Sequence, residues 1–233
     1  MTPSKRLTLI LALLCSALAG TGAVAATVTA TLTADNFYAL YLGAADGKNL
    51  RFIGRNELGP AGNPGSYNWS RAETWTLTPQ TNDVLYIAAW SDNIVAQGLI
   101  GQFATGSGQF LTNLTDGWTV ALNNVDLGNN SPAPTVSALG SFLAGANWNS
   151  VQHSVAHGAA PWGRINGISN DARWIWGTPN LNRSGSGAGA GKYQVFRRSL
   201  NGVTPAPVPL PLPLLLFVGP VLAASMLRRR PQA

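Results

Sequence analysis

Cysteine is almost missing from this chain: one residue in 233, Cys15, and it falls in an apolar N-terminal stretch. A disulfide framework and a cysteine-based zinc site are excluded on that count. Charge is scarce as well. Charged residues make up 10% of the sequence, against about 25% in ordinary soluble domains, which argues against a coiled coil and against highly charged disorder. A net charge of +6 first points to nucleic acid or an anionic membrane. The positions of the charges remove that reading. Lys5, Arg6, Arg228, Arg229 and Arg230 stand at the two extremes, so ten basic residues face all nine acids in between. The middle of the protein is close to neutral, its polar surface is built from Asn, Ser, Thr, Gln and Gly, and nucleic acid drops out as a partner.

The N-terminus has a basic leader to Arg6, an apolar run from Leu7 to Ala19 and a small-x-small sequence, Ala23-Val24-Ala25. That is the build of a secretory signal peptide over residues 1–25. The apolar run is short for a membrane anchor.

The other end reads Val208-Pro209-Leu210-Pro211-Leu212-Pro213, an apolar stretch to Leu227, then three arginines. Residues 210–227, about 27 Å long as a helix, suffice narrowly for one transmembrane crossing, with Arg228, Arg229 and Arg230 on the cytoplasmic side. The order of proline motif, short hydrophobic helix and arginine cluster over 208–230 resembles the PEP-CTERM sorting signals of Gram-negative bacteria, in the variant opening Val208-Pro209-Leu210-Pro211. Leu212 and Pro213 depart from the small residues more usual there. The resemblance implies recognition by exosortase, a membrane protease-transpeptidase that removes the tail near the proline motif. It also implies passage through the inner membrane as an anchored precursor, then release to the cell surface or an extracellular polysaccharide matrix. A permanent anchor is the alternative.

Between the ends, residues 26–201 form one domain, followed by a proline-rich linker over 202–209. Period-two alternation dominates. Val28, Ala30 and Leu32 alternate with threonines, the mark of a half-buried strand, whereas Val84 to Trp90 is apolar throughout and reads as a central strand covered on both faces. Further strands are expected at 37–42, 50–53, 73–77, 98–103, 118–122, 172–176 and 193–198. Turn-rich stretches fall at 45–47, 59–68, 123–134 and 184–191. Val136, Leu139, Phe142 and Leu143 have helical spacing, shortened by Gly140. The expected class is all-β: a jelly-roll β-sandwich with one short helix.

Asp35-Asn36-Phe37-Tyr38-Ala39-Leu40-Tyr41, Ala72-Glu73-Thr74-Trp75, Tyr86-Ile87-Ala88-Ala89-Trp90 and Asp171-Ala172-Arg173-Trp174-Ile175-Trp176 resemble, in this order, the galactose-binding-like jelly rolls of secreted bacterial proteins and of glycoside-hydrolase accessory domains. This implies a fold more than a function.

Catalytic constellations are sparse. His153 and His157 stand at i, i+4, a metal spacing on a helix, but the surrounding residues alternate like a strand, and the expectation is a solvated pair. No Gly-x-Ser-x-Gly elbow is present, and Gly106-Ser107-Gly108 and Ser184 to Gly187 read as flexible loops. No cofactor is expected; Asp35, Glu73 and Asp92, at strand ends, are weak candidates for a structural calcium.

The tryptophans say more. A sugar's C–H face stacks on an aromatic plane while amides, carboxylates and arginines meet its hydroxyls. Trp75, Trp90, Trp174 and Trp176 are expected in the core. Trp69 and Trp162 stand in loops, Trp162 beside Arg164, and are the candidates for carbohydrate contact, with Asp92, Asn93 and Gln97 as polar partners. Their alternative role is to plug the ends of the sandwich. Three functions follow from these expectations: a non-catalytic surface or matrix protein binding exopolysaccharide, a structural or adhesive protein without sugar binding, and, least favoured, a secreted glycan hydrolase or esterase.

Overall fold

A computed structural model describes residues 27–56, 69–92, 96–127, 131–179 and 192–201. The segments expected to be a signal peptide, a linker, a sorting motif (Val208, Pro209, Leu210, Pro211, Arg228, Arg229, Arg230) and a transmembrane crossing over 210–227 lie outside the described residues. No helix among those described is long and apolar enough to cross a membrane.

The chain forms two six-stranded antiparallel sheets. The first has the order β10 (His153–Ala156), β11 (Arg173–Trp176), β6 (Gly98–Thr105), β1 (Val28–Asp35) and β4 (Glu73–Leu77), with β7 (Gly108–Leu111) also paired to β6. The second runs β3 (Arg51–Arg55), β2 (Phe37–Gly43), β5 (Val84–Trp90), β12 (Lys192–Ser199), β8 (Thr119–Asp126) and β9 (Asn149–Ser150). Among the described residues there is one helix, α1 (Val136–Leu143), between β8 and β9 in the chain. The class is therefore an all-β sandwich with one short helix.

The apolar pattern explains the layers. On β1, Val28, Ala30, Leu32 and Ala34 face inward, and they meet Leu85, Ile87 and Ala89 of β5 and Tyr38, Leu40 and Leu42 of β2 in the main core. The alternate residues of the second sheet, Phe37, Ala39, Tyr41, Tyr86, Ala88 and Trp90, form a second cluster on its outer face with Leu139 and Leu143 of α1. That double coverage is why Val84 to Trp90 has no polar side. Thr135 caps the helix, its Oγ1 accepting the Ala138 N–H at 3.1 Å, and the Tyr41 hydroxyl donates to the Pro134 carbonyl at 2.5 Å just before it.

Two expectations are corrected. Gly106-Ser107-Gly108 belongs to the tight turn of the β6–β7 hairpin, in which Thr105 pairs with Gly108. β8 continues through Asn123 to Asp126, into the stretch read as turns, because the buried Asn123 side chain donates its amide to the Tyr193 hydroxyl across the strand pair.

Only Asn36 separates β1 from β2, so one residue carries the chain from the first sheet to the second. The Asp35–Asn36 peptide is cis. Asn36 is tied on several sides: its Oδ1 accepts the Asp92 N–H at 2.8 Å, its carbonyl accepts the Asn56 side-chain amide at 2.8 Å, and its N–H donates to the Trp90 carbonyl at 3.3 Å.

Candidate functional site

Several residues singled out in the sequence converge at this crossing, and they pack there. Trp162 is 3% exposed, stacks on Trp174 with ring centroids 4.3 Å apart, and donates its indole N–H to Asp35 Oδ2 at 2.7 Å. Gly98 makes room for the pair, since a Cβ there would lie 2.9 Å from Trp174 and 3.4 Å from Trp162. Of its two expected roles, ligand contact or end plug, Trp162 is placed as an end plug, buried because burying two stacked indoles outweighs leaving one in water. Gln97 is likewise buried. Trp69 is half-buried against the main core, and its carbonyl accepts the Thr33 hydroxyl. Arg164 is exposed and donates to Asn170 Oδ1 on its own loop. Asp92 is half-buried beside the crossing, and Asn93 lies outside the described residues.

The calcium candidates do not assemble. Among the described residues no three His, Cys, Asp or Glu side chains are grouped to hold a metal ion. Glu73 instead accepts the Tyr38 hydroxyl at 2.6 Å, and Tyr38 in turn accepts the Trp75 indole N–H at 2.8 Å. Asp35 is held under Trp162; burial raises its carboxyl from 3.8 to about 7, the Trp162 hydrogen bond opposes the rise, and the Asp92 charge adds to it.

The two histidines also part company. His157 is buried with both ring nitrogens engaged: Nδ1 lies 2.9 Å from the Ser169 carbonyl, and Nε2 accepts the Ile165 N–H at 2.8 Å. With Nε2 as an acceptor, Nδ1 is the nitrogen that faces the carbonyl as donor, and this burial corrects the expectation of a solvated pair. His157 closes the loop that carries Trp162. His153, in β10, faces elsewhere.

That other place is an open cleft of about 200 Å³ where the edges of the two sheets meet. β9 ends the second sheet and β10 begins the first, with only Val151 and Gln152 between them, so the chain folds over this edge as it changes sheets. Asn149, Ser150, Gln152 and half-buried His153 form the polar rim. Val120 and Leu122 of β8 supply a methyl floor, and Gly177, just past β11, is the far wall. A Cβ on Gly177 would come within 2.6 Å of Gln194 Oε1, 2.9 Å of Leu122 Cδ2 and 3.0 Å of Val120 Cγ2. Behind this wall the fully buried Gln194 accepts the Gly177 N–H at 2.7 Å, while its Nε2 has no hydrogen-bond partner among the described residues.

No protein-family model, no curated protein and no solved structure matches this chain.

The cleft is below the roughly 300 Å³ at which drug-sized pockets begin, so it suits one ring. Its donors and acceptors are neutral amides, a hydroxyl and an imidazole, set above methyl groups. The sequence did not single out Asn149, Ser150, Gln152 and Gly177 as cleft residues, and it offered His153 as a metal ligand or as one of a solvated pair. The run of polar side chains from Asn149 to His153, broken only by Val151, was the available signal; its meaning depends on two strands of two and four residues that end different sheets.

Proposed function

We propose that this chain is an exported, non-catalytic protein of the cell surface or extracellular matrix, whose sandwich is a galactose-binding-like jelly roll that binds carbohydrate. In this reading the C-terminal tail is an exosortase-processed sorting signal and the ligand is an exopolysaccharide. The observation that carries the binding role is the edge cleft: Asn149, Ser150, Gln152 and His153 offer hydrogen-bond partners for ring hydroxyls, and Val120 and Leu122 offer methyls to the C–H face of the same ring. The contact moves from the tryptophans to the sheet edge, because Trp162 is spent on packing.

The test is binding of the purified protein to a panel of neutral and acidic polysaccharides, with Asn149→Ala and His153→Ala variants checked for unchanged thermal melting. Loss of about tenfold in affinity in either variant supports the reading, since stripping a polar partner from a sugar hydroxyl costs about 1–2 kcal/mol. Failure of the wild-type protein to bind any member of the panel overturns it, and self-association independent of sugar then favours the structural or adhesive alternative. The tail is tested by intact mass: a mature chain ending near Val208 supports sorting, and retention of Arg228 to Arg230 supports a fixed anchor.

A further inference from the structure

The loop that joins β7 to β8 carries a triplet with no part in the cleft: Asn113-Leu114-Thr115. An asparagine two positions before a threonine or serine, with no proline between, is the acceptor pattern for N-linked glycosylation, and it requires an accessible loop on an exported chain. Asn68, Asn129 and Asn182 also head such triplets and lie outside the described residues. At Asn113 the loop has a defined geometry.

Both roots of the loop are fixed. Thr112 is fully buried; its N–H donates to the Gly101 carbonyl at 2.9 Å and its hydroxyl to the Arg173 carbonyl at 2.8 Å. At the other root the Trp118 indole N–H donates to the Leu111 carbonyl at 2.8 Å, and Asp116 Oδ2 accepts the Leu111 N–H at 2.7 Å. The tip stands out from this base. Leu114 is 48% exposed and Thr115 is exposed, beside half-buried Asn113.

Three donors converge on Asn113 Oδ1: the Asp116 N–H at 2.7 Å, the Thr115 N–H at 2.9 Å and the Thr115 hydroxyl at 3.3 Å. An amide nitrogen is a poor nucleophile because its lone pair is shared with the carbonyl. Hydrogen bonds to the oxygen stabilise the negative charge that gathers there as the nitrogen gives up a proton. The triplet's own hydroxyl supplies one of those bonds, which is the physical reason for a threonine at that spacing. Nδ2, the other end of the same planar group, donates to no acceptor among the described residues.

We infer that Asn113 is an N-glycosylation site, modified outside the cytoplasm from a sugar activated as its anomeric diphosphate ester. In the transfer the bond from the anomeric carbon to the diphosphate oxygen breaks, and its electron pair leaves with the diphosphate. A bond forms from Nδ2 to the anomeric carbon, and the displaced Nδ2 proton passes to a base of the transferase. No oxidation or reduction is involved. The inference goes beyond the binding role and rests only on the export part of the proposal above.

The experiment isolates the protein from the surface and medium of the organism that makes it and maps its proteolytic peptides by mass spectrometry, for wild type, Asn113→Asp and Thr115→Val. Asn113→Asp keeps an oxygen for all three donors and loses only the nitrogen, so the loop survives; melting temperatures check both variants. Expected is a sugar mass assigned to Asn113 by fragmentation of the wild-type peptide, and its loss in both variants. Bare Asn113 on a wild-type chain that starts near residue 26 overturns the inference and leaves export standing. Bare Asn113 on a chain that retains residues 1–25 removes both. A sugar on this peptide that persists in Asn113→Asp is attached elsewhere, as to the Thr115 hydroxyl, and one that persists on Asn113 in Thr115→Val has no need of that hydroxyl. Either result overturns the inference.

Discussion

Trp162 and Asp35, 127 residues apart, meet through a 2.7 Å hydrogen bond that closes one end of the sandwich. The indole is donor and the carboxyl oxygen acceptor, and both are almost sealed from water. An acid so placed must make stability depend on pH. Burial raises the Asp35 carboxyl from 3.8 to about 7. Between those values the unfolded chain has released the proton and the folded one keeps it, so folding stability falls as pH rises through that window and levels off above it. The loss attributable to Asp35 is a few kcal/mol, roughly 4 at most. Asp35→Asn retains an oxygen for the indole and cannot ionise. Urea unfolding at pH 4 to 8 should show the variant more stable than wild type at pH 8 and with a flatter profile; a parallel pair of profiles would refute the assignment.

Trp162 should behave as a core residue. Trp162→Ala is expected to cost about 3–5 kcal/mol by denaturant titration. Trp162→Phe keeps a ring against Trp174 and loses only the N–H, so it should cost less, about 1–3 kcal/mol, and leave polysaccharide affinity unchanged. A drop in affinity in Trp162→Phe without a drop in stability would return the tryptophan to the binding surface.

His157 offers a third check. His157→Ala strips two hydrogen bonds from the loop over 157–169 and should destabilise by about 2–3 kcal/mol. Amide hydrogen exchange at Ile165, whose N–H the ring accepts, should accelerate more than exchange in β5. Uniform acceleration would mean that the histidine acts on the whole domain instead of on this loop.

The helix cap gives a fourth. Thr135→Ala removes the acceptor for Ala138 and should cost about 1 kcal/mol, read as a lower urea midpoint with unchanged slope.

Legibility in the sequence followed the range of the forces. β1 and β5 were readable because burial of one face or of two writes itself into consecutive residues, as alternation in one and as an unbroken apolar run in the other. α1 was readable from Leu139 and Leu143, which its own 3.6-residue period brings to the sheet. Plugging was one of the two roles expected of Trp162, but its partner was not readable: nothing within ten residues of Trp162 shows that Asp35 waits for its N–H. The cleft was hidden for a similar reason, since Asn149 and His153 become neighbours of Gly177 only after both sheets form.

β12 lies between β5 and β8, and it is the last of the described strands along the chain. Until Lys192–Ser199 emerges, the second sheet is two fragments with bare edges, β3-β2-β5 and β8-β9. The edge cleft lacks its backing at that stage, because the Gln194 that lies behind Gly177 belongs to β12. The second sheet therefore becomes continuous in one step, when this strand is added. A chain stopped a few residues short should be an aggregation hazard rather than a looser form of the same fold.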